Sequence, residues 1–129
     1  MRKIIVSGSS TFYKEALEIK KELENKKYQV IDYPKKINKK IKIKYKEAYE
    51  SFYENLSNTN DLLLLNLDKK GIEGYIGYES FAELSNLIVK KIQVDNDHRI
   101  YIYKIPSKKV GCYDEIMHFL ELGYIEVYK

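Results

Sequence analysis

The stretch that decides the fold is DLLLLNL at residues 61–67, a nearly continuous apolar run. A strand covered by helices on both faces has this pattern, whereas a strand with one wet face alternates apolar and polar residues. The run therefore predicts a central strand of a parallel sheet. The residues that follow it, GIEGYIGYESFAEL at 71–84, begin as a glycine-rich loop and continue with the spacing of an amphipathic helix.

Outward from this stretch, apolar segments alternate with helical patterns along the whole chain. The segments predict strands at residues 3–7, 28–33, 61–67, 99–104 and 124–128, and helices at 11–26, 45–56, 78–91 and 113–122. Strict alternation of strand and helix is typical of α/β proteins. We therefore expect a single three-layer domain, with a five-stranded parallel sheet in the flavodoxin-like (Rossmann-like) order 2-1-3-4-5.

Length and composition indicate one soluble domain over residues 1–129. The chain is 44% hydrophobic and 33% charged, and no apolar run approaches the ~20 residues that span a bilayer. The apolar stretch near the start, in MRKIIVSGSS, is too short for a signal peptide. With the single Cys112 and no metal-ligand spacing of Cys and His, we expect a cytoplasmic protein with no metal, no cofactor and no membrane partner.

The net charge of +4 is concentrated in PKKINKKIKIKYK at residues 34–46. One interpretation is a patch that attracts the phosphates of nucleic acid. Nucleic-acid binders usually interleave arginine and stacking aromatics with their lysines, and this segment has no arginine and only Tyr45. A solvated linker is the other interpretation, and nucleic acid is not the expected partner.

Two polar, glycine-bearing loops are expected to meet at one edge of the sheet. They follow the first and third strands, at residues 7–11 (SGSST) and 66–77. In an open doubly wound sheet, ligands bind beyond the carboxyl ends of the strands, at the point where the strand order reverses. Neither loop has the glycine pattern that holds a dinucleotide or a triphosphate. Within the second loop, Tyr75 is an aromatic surface on which a base could stack.

Three glutamates accompany the second loop. Glu73 lies in the loop itself, and Glu79 is expected to point toward water, where it complements the helix dipole. On a helix that begins near Tyr78, Glu83 falls at the flank of the apolar face formed by Phe81, Leu84, Leu87 and Ile88. At a cleft, burial of such a flank carboxyl raises its pKa and suits it to catalysis. A merely solvated acid remains the alternative.

The arrangement resembles the nucleoside 2-deoxyribosyltransferase-like superfamily, which includes 2'-deoxynucleoside 5'-phosphate N-hydrolases. The motifs that carry the resemblance run over nearly the whole chain. They are KIIVSGSS, DLLLLNLDKKGIEGYIG, SFAEL, RIYIYKIP and CYDEI, and the most specific is GYIG followed by Glu83 in a GYIGxxxxxE pattern.

The resemblance implies that Glu83 is the catalytic nucleophile. It would attack the anomeric carbon of a (deoxy)ribosyl group in a nucleoside or nucleotide as the base departs, and water or a second base would then take the sugar. The resemblance also implies a homo-oligomer, a homodimer in the simplest case, in which a neighbour completes the pocket. The predicted substrate-binding residues are Ser7, Gly8, Ser9, Phe12, Asn66, Gly74, Tyr75, Ile76 and Gly77.

Some residues depart from the family pattern. The transferase branch has Asp and Thr in a DSGT-like run where this chain has Gly77 and Ser80, and a Tyr where this chain has Ile5. Hydrolysis, transfer, a different ribosyl substrate and binding without turnover therefore all remain open. The alternative to an enzyme is a nucleotide-binding module of the same fold.

Overall fold

The computed structural model describes residues 1–37 and 40–129, in which five strands and four α-helices alternate. The strands are β1 (Lys3–Ser7), β2 (Gln29–Asp32), β3 (Asp61–Leu64), β4 (Ile100–Ile102) and β5 (Glu126–Val127). The helices are α1 (Tyr13–Asn25), α2 (Lys42–Ser57), α3 (Tyr78–Gln93) and α4 (Tyr113–Glu121), and a 3-10 turn (Ser10–Phe12) precedes α1.

All strand pairs are parallel, and the sheet order is β2-β1-β3-β4-β5. The predicted fold class and strand order are thus confirmed. β1 has the predicted bounds, and the other four strands are shorter than predicted because the ladder stops where the chain turns toward the loops. After Leu64, for example, the Leu65 N–H still bonds the Ser7 carbonyl at 2.7 Å, but the following residues leave the sheet.

The apolar run at 61–67 divides its side chains between the two faces of the sheet. Leu62 and Leu64 pack in a core with α3, α4 and the end of α2. Leu63 and Leu65 pack in a second core with α1. Both cores are dry, since these four leucines are at most 1% exposed. In a strand that is covered on both faces, successive side chains point into one core or the other. This accounts for the nearly continuous apolar pattern.

The predicted apolar face of α3 is confirmed. Leu84, Leu87 and Ile88 are buried, and Phe81 packs partly buried against the same core. This packing fixes the rotation of α3 about its axis and so fixes the directions of the other side chains on the helix.

The lysine-rich segment is not all linker. α2 begins at Lys42, three residues earlier than predicted, so Lys42, Lys44 and Lys46 lie on its first turns. Lys39 lies outside the described residues. Among the described helices, none has the length and apolarity needed to cross a bilayer.

Candidate functional site

A cavity of about 380 Å³ lies at the carboxyl ends of β1, β2 and β3, next to the point where the strand order reverses. Residues of α2 and of the start of α3 line it, together with residues of the loops that follow the three strands. The described residues that line it are Gly8, Ser9, Ser10, Asp32, Tyr33, Pro34, Lys35, Ile37, Tyr45, Ala48, Tyr49, Ser51, Phe52, Lys69, Tyr75, Gly77, Tyr78, Glu79, Ser80 and Glu83. This is the size and place expected for a small-molecule site in such a sheet.

Glu83 is a partly buried carboxyl on the cavity wall. Burial raises the pKa of Glu83 to about 7, the Ser7 hydroxyl opposes that rise, and the charges of Glu79 and Asp32 add to it. The Ser7 hydroxyl donates to Glu83 Oε1 at 2.5 Å. Within the described chain, Oε2 has no hydrogen-bond partner. Ser7 therefore orients the Glu83 carboxyl through Oε1, while Oε2 is available to a ligand in the cavity.

A second buried acid shows how unusual Glu83 is. Asp61, at the opposite edge of the sheet, is fully buried and accepts from Arg2 at 2.6 and 2.9 Å and from the Arg99 N–H at 3.0 Å. Its charge is compensated by a cation, as structural buried charges are. No described cation lies in an ion pair with Glu83. An uncompensated carboxyl at a cavity is typical of a functional group.

The two loops predicted to meet do so. The Lys69 ammonium donates to Ser9 Oγ at 2.9 Å, which joins the loop after β3 to the loop after β1. Gly8 lies against the strand-three backbone, since a Cβ on Gly8 would stand 3.0 Å from the Leu65 carbonyl oxygen. The Lys69 ammonium also lies 5.1 Å from the centre of the Tyr75 ring.

Five of the predicted site residues line the cavity, and the other five support it from behind or lie in the core. The cavity is lined by Gly8, Ser9, Tyr75, Gly77 and Glu83. Ser7 is fully buried behind the wall, where its contact is with Glu83 rather than with the cavity. Its role as a substrate contact stays a prediction, and the contact that the structure shows is the hydrogen bond that positions the Glu83 carboxyl.

Phe12 and Ile76 belong to the hydrophobic cores. Phe12 is 6% exposed and packs in the α1 core, and Ile76 is 7% exposed and packs in the core on the other face. Neither is among the described cavity residues, and their contact with a substrate stays a prediction. Their side chains turn inward because burial of an apolar group in a core removes it from water.

Asn66 and Gly74 hold the loop after β3 in shape. Asn66 is fully buried, and its side chain bonds the backbone of Tyr103, Lys104 and Gly74 at 2.7 to 3.4 Å. Gly74 has φ +63°, and a Cβ there would lie 2.8 Å from Pro106 Cα. Gly74 thus approaches the chain after β4, not the cavity, so its glycine is required by packing.

Sequence reasoning missed the wall that α2 contributes. Tyr45, Ala48, Tyr49 and Phe52 follow helical spacing on α2 and line the cavity. Phe52 also packs against the core, in which Leu56 is buried. With Tyr33, Tyr75 and Tyr78, the cavity has six aromatic residues. The helical spacing was visible in the sequence, but the same spacing suits a core, an interface or a pocket.

Two acids at the cavity were also not predicted as site residues. Asp32, at the end of β2, is 7% exposed and accepts from Asn55 at 3.0 Å and from the Tyr33 N–H at 2.8 Å, with Lys35 Nζ at 3.2 Å. Glu79 is exposed, as expected, but it also lines the cavity, and its charge raises the pKa of Glu83. No signal in the sequence distinguishes Asp32 from an ordinary acid at a strand end.

Metal and thiol chemistry find no support at this site. Within the described ranges, no group of three or more His, Cys, Asp or Glu side chains is placed to hold a metal ion. Cys112 is buried at the start of α4, and burial raises the pKa of its thiol to about 11, so it is protonated at neutral pH. His98 lies at the opposite edge of the sheet, where its Nδ1 is 2.6 Å from the Asn60 carbonyl oxygen.

Comparison of the chain with protein-family models, with curated proteins and with solved structures finds no match. Function is therefore inferred from the cavity and from the motifs around Glu83.

Proposed function

We propose that the chain cleaves or transfers at the N-glycosidic bond of a (deoxy)nucleoside or nucleoside monophosphate, with Glu83 as the nucleophile. The observation that carries the proposal is the Glu83 carboxyl on the cavity wall, held through Oε1 by Ser7 at 2.5 Å and paired with no cation among the described residues. The GYIGxxxxxE motif around it supports the same role.

The chemistry follows from the two oxygens of Glu83. Oε2 attacks C1′ of the sugar, the bond from C1′ to the base nitrogen breaks, and the departing base takes up a proton. A negative charge beside C1′ stabilises the oxocarbenium-like transition state, and the product is a glycosyl ester of Glu83. Water, or a second base, then attacks C1′ and releases the carboxylate. Ser7 keeps the carboxyl in one orientation throughout.

The walls of the cavity suit a nucleoside. Six aromatic residues line the cavity and offer faces on which a base can stack, among them Tyr75 in the loop after β3 and Tyr49 on α2. Lys35 and Lys69 supply positive charge for a ligand that carries a phosphate. A volume of about 380 Å³ falls within the range of small-ligand pockets.

The test is base release by Glu83 variants. Purified chain is incubated with mixed nucleosides and nucleoside monophosphates, and free base is measured by chromatography. We expect Glu83→Ala and Glu83→Gln to lose at least about a thousandfold in base release while remaining folded, because both remove the nucleophile. Glu18→Gln, an exposed change on α1, serves as the matched control. Base release at the wild-type rate from Glu83→Ala would remove the proposal.

A binding module without turnover is the second candidate, and two positions favour it. Ile5, at the position of the family Tyr, is fully buried in the core and contributes nothing to the cavity, and Gly77, at the position of the family Asp, has no side chain. Calorimetry distinguishes this candidate from the first. A module binds a nucleotide with little change in affinity on Glu83→Gln and forms no product, whereas any turnover of the bound nucleotide excludes it.

Two expectations from the sequence stay predictions beside this proposal. One is the homo-oligomer, homodimeric in the simplest case, which light scattering coupled to size-exclusion chromatography would test. The other is a cytoplasmic location. Binding of nucleic acid through the lysines near α2 would appear as a steep loss of affinity with added salt.

A further inference from the structure

Ser80 is a buried hydroxyl at the cavity that no part of the proposed mechanism uses. It lies on α3 one turn before Glu83, is 6% exposed and lines the cavity. Within residues 1–37 and 40–129, no group is hydrogen-bonded to its side chain. Its Oγ is not among the described side-chain atoms that are fully buried without a partner, so the hydroxyl is reached from the cavity. A ligand group that hydrogen-bonds there takes the place of water. A ligand in the cavity is the partner that this position offers.

The place of Ser80 relative to Glu83 limits which part of a nucleoside it can meet. Residues three apart on a helix are neighbours on one face, with Cβ atoms roughly 5–6 Å apart. An attacking carboxylate oxygen stands about 3–3.5 Å from C1′ in a reactive complex. Ser80 is therefore within reach of the groups bonded to C1′, which are the base, the ring oxygen and C2′.

Two sugar atoms are bonded to C1′, the ring oxygen and C2′. The ring oxygen becomes electron-poor in an oxocarbenium-like transition state and is then a weak hydrogen-bond acceptor. A hydroxyl on C2′ both donates and accepts, and hydrogen bonds to such a group strengthen in the transition state of glycosidases. In a 2′-deoxy sugar, Ser80 would face a CH₂ group and remain unpaired.

We propose that Ser80 pairs with the 2′-hydroxyl of the sugar, so that the substrates of this site are ribosyl compounds rather than 2′-deoxyribosyl ones. The inference rests on the proposed function and deepens it by naming the sugar. Ser80 acts on specificity, through a hydrogen bond made to a ribosyl group and absent from a deoxyribosyl group.

The experiment compares matched substrate pairs. Adenosine with 2′-deoxyadenosine and cytidine with 2′-deoxycytidine, each with and without a 5′-phosphate, are assayed for kcat/KM. We expect the wild type to prefer the ribosyl member. Ser80→Ala is expected to lower kcat/KM for the ribosyl member about tenfold, because one hydrogen bond is lost. For the deoxyribosyl member, kcat/KM is expected to change less than about twofold.

Two further variants guard the interpretation. Ser80→Cys nearly keeps the volume of the side chain but has a much weaker hydrogen-bonding group. It is expected to lower kcat/KM for the ribosyl member about as much as Ser80→Ala does. Ser85→Ala removes a hydroxyl from the same helix at a residue that is not among the described cavity residues. It is expected to leave kcat/KM unchanged for both members of each pair. Unfolding by urea verifies that each variant is folded.

The outcomes separate the two proposals. If Ser80→Ala lowers kcat/KM equally for the ribosyl and the deoxyribosyl member of a pair, or leaves both values unchanged, the assignment of Ser80 is overturned. The proposed function stands in either case. If the wild type releases no base, calorimetry on Glu83→Gln, with and without Ser80→Ala, measures the same ribosyl preference as affinity. Equal affinity for both sugars, or no binding of either, overturns the assignment as well.

Discussion

Glu83→Gln should stabilise the folded chain at alkaline pH and have little effect at acidic pH. The pKa of Glu83 is raised from 4.5 to about 7, chiefly by burial. The folded chain therefore holds a proton on Glu83 between these two values, where the unfolded chain has lost it. The stability that this group contributes is fully present below about 4.5 and is lost as the pH rises through about 7.

The magnitude follows from the same pKa values. Each pKa unit is worth about 1.4 kcal/mol, so the rise from 4.5 to about 7 corresponds to about 3 kcal/mol. Above pH 8 the wild type carries a buried carboxylate that costs this amount relative to the unfolded chain. Glutamine has no charge at any pH and can still accept from the Ser7 hydroxyl, so Glu83→Gln avoids the cost.

Urea unfolding followed by circular dichroism at pH 5, 6, 7 and 8.5 measures the effect. We expect the free energy of unfolding of Glu83→Gln, relative to wild type, to increase by about 2–3 kcal/mol from pH 5 to pH 8.5. Glu18→Gln, at an exposed position on α1, is the matched control and should show no such increase. A difference between Glu83→Gln and wild type that stays constant within about 0.5 kcal/mol would show that Glu83 is not desolvated.

Three further variants test the surroundings of the site. Ser7→Ala should raise the pKa of Glu83 above its present value of about 7, since the Ser7 hydrogen bond lowers it; carbon NMR of the Glu83 side chain measures the change, and an unchanged pKa would contradict the contact. Asn66→Ala should lower the free energy of urea unfolding by about 3 kcal/mol, because it removes the hydrogen-bond partner of the Lys104 carbonyl and N–H groups; a loss below about 1 kcal/mol would mean that water replaces the amide. Gly74→Ala should cost clearly more than Gly71→Ala in the same measurement. Both glycines have positive φ, worth about 1–2 kcal/mol, but only at Gly74 does a Cβ meet backbone at 2.8 Å, and equal losses would count against that close approach.

Much of the fold could be predicted because the spacing of apolar residues along the chain indicates which side chains are buried. The run at 61–67 is apolar at every position that faces either core, and the alternation of strands and helices leaves few parallel topologies. The face of α3 and the flank position of Glu83 followed from helical geometry alone. Even so, β2 to β5 were predicted too long, because hydrogen bonding between strands, not apolarity, decides where a ladder stops.

The site was predictable only in outline. The convergence of the loops after β1 and β3 follows from the topology, and it correctly placed Gly8, Ser9 and Tyr75 at the cavity. Phe12 and Ile76 were assigned to the site because they are near it in sequence, yet their side chains turn into the cores. Nearness along the chain does not determine the direction of a side chain.

By itself, the sequence determined the order of the strands, the loops that border the cavity and the glutamate on the flank of α3. Only the tertiary structure decided that α2 turns its aromatic face to the cavity, that Ser7 stands behind Glu83, and that Ser80 lines the cavity beside it with no hydrogen-bond partner among the described residues. The physical reason is that periodicity records which side of an element is apolar. What that side meets, and how much water it loses, is set by elements distant in the chain, and the raised pKa of Glu83 is a product of that packing.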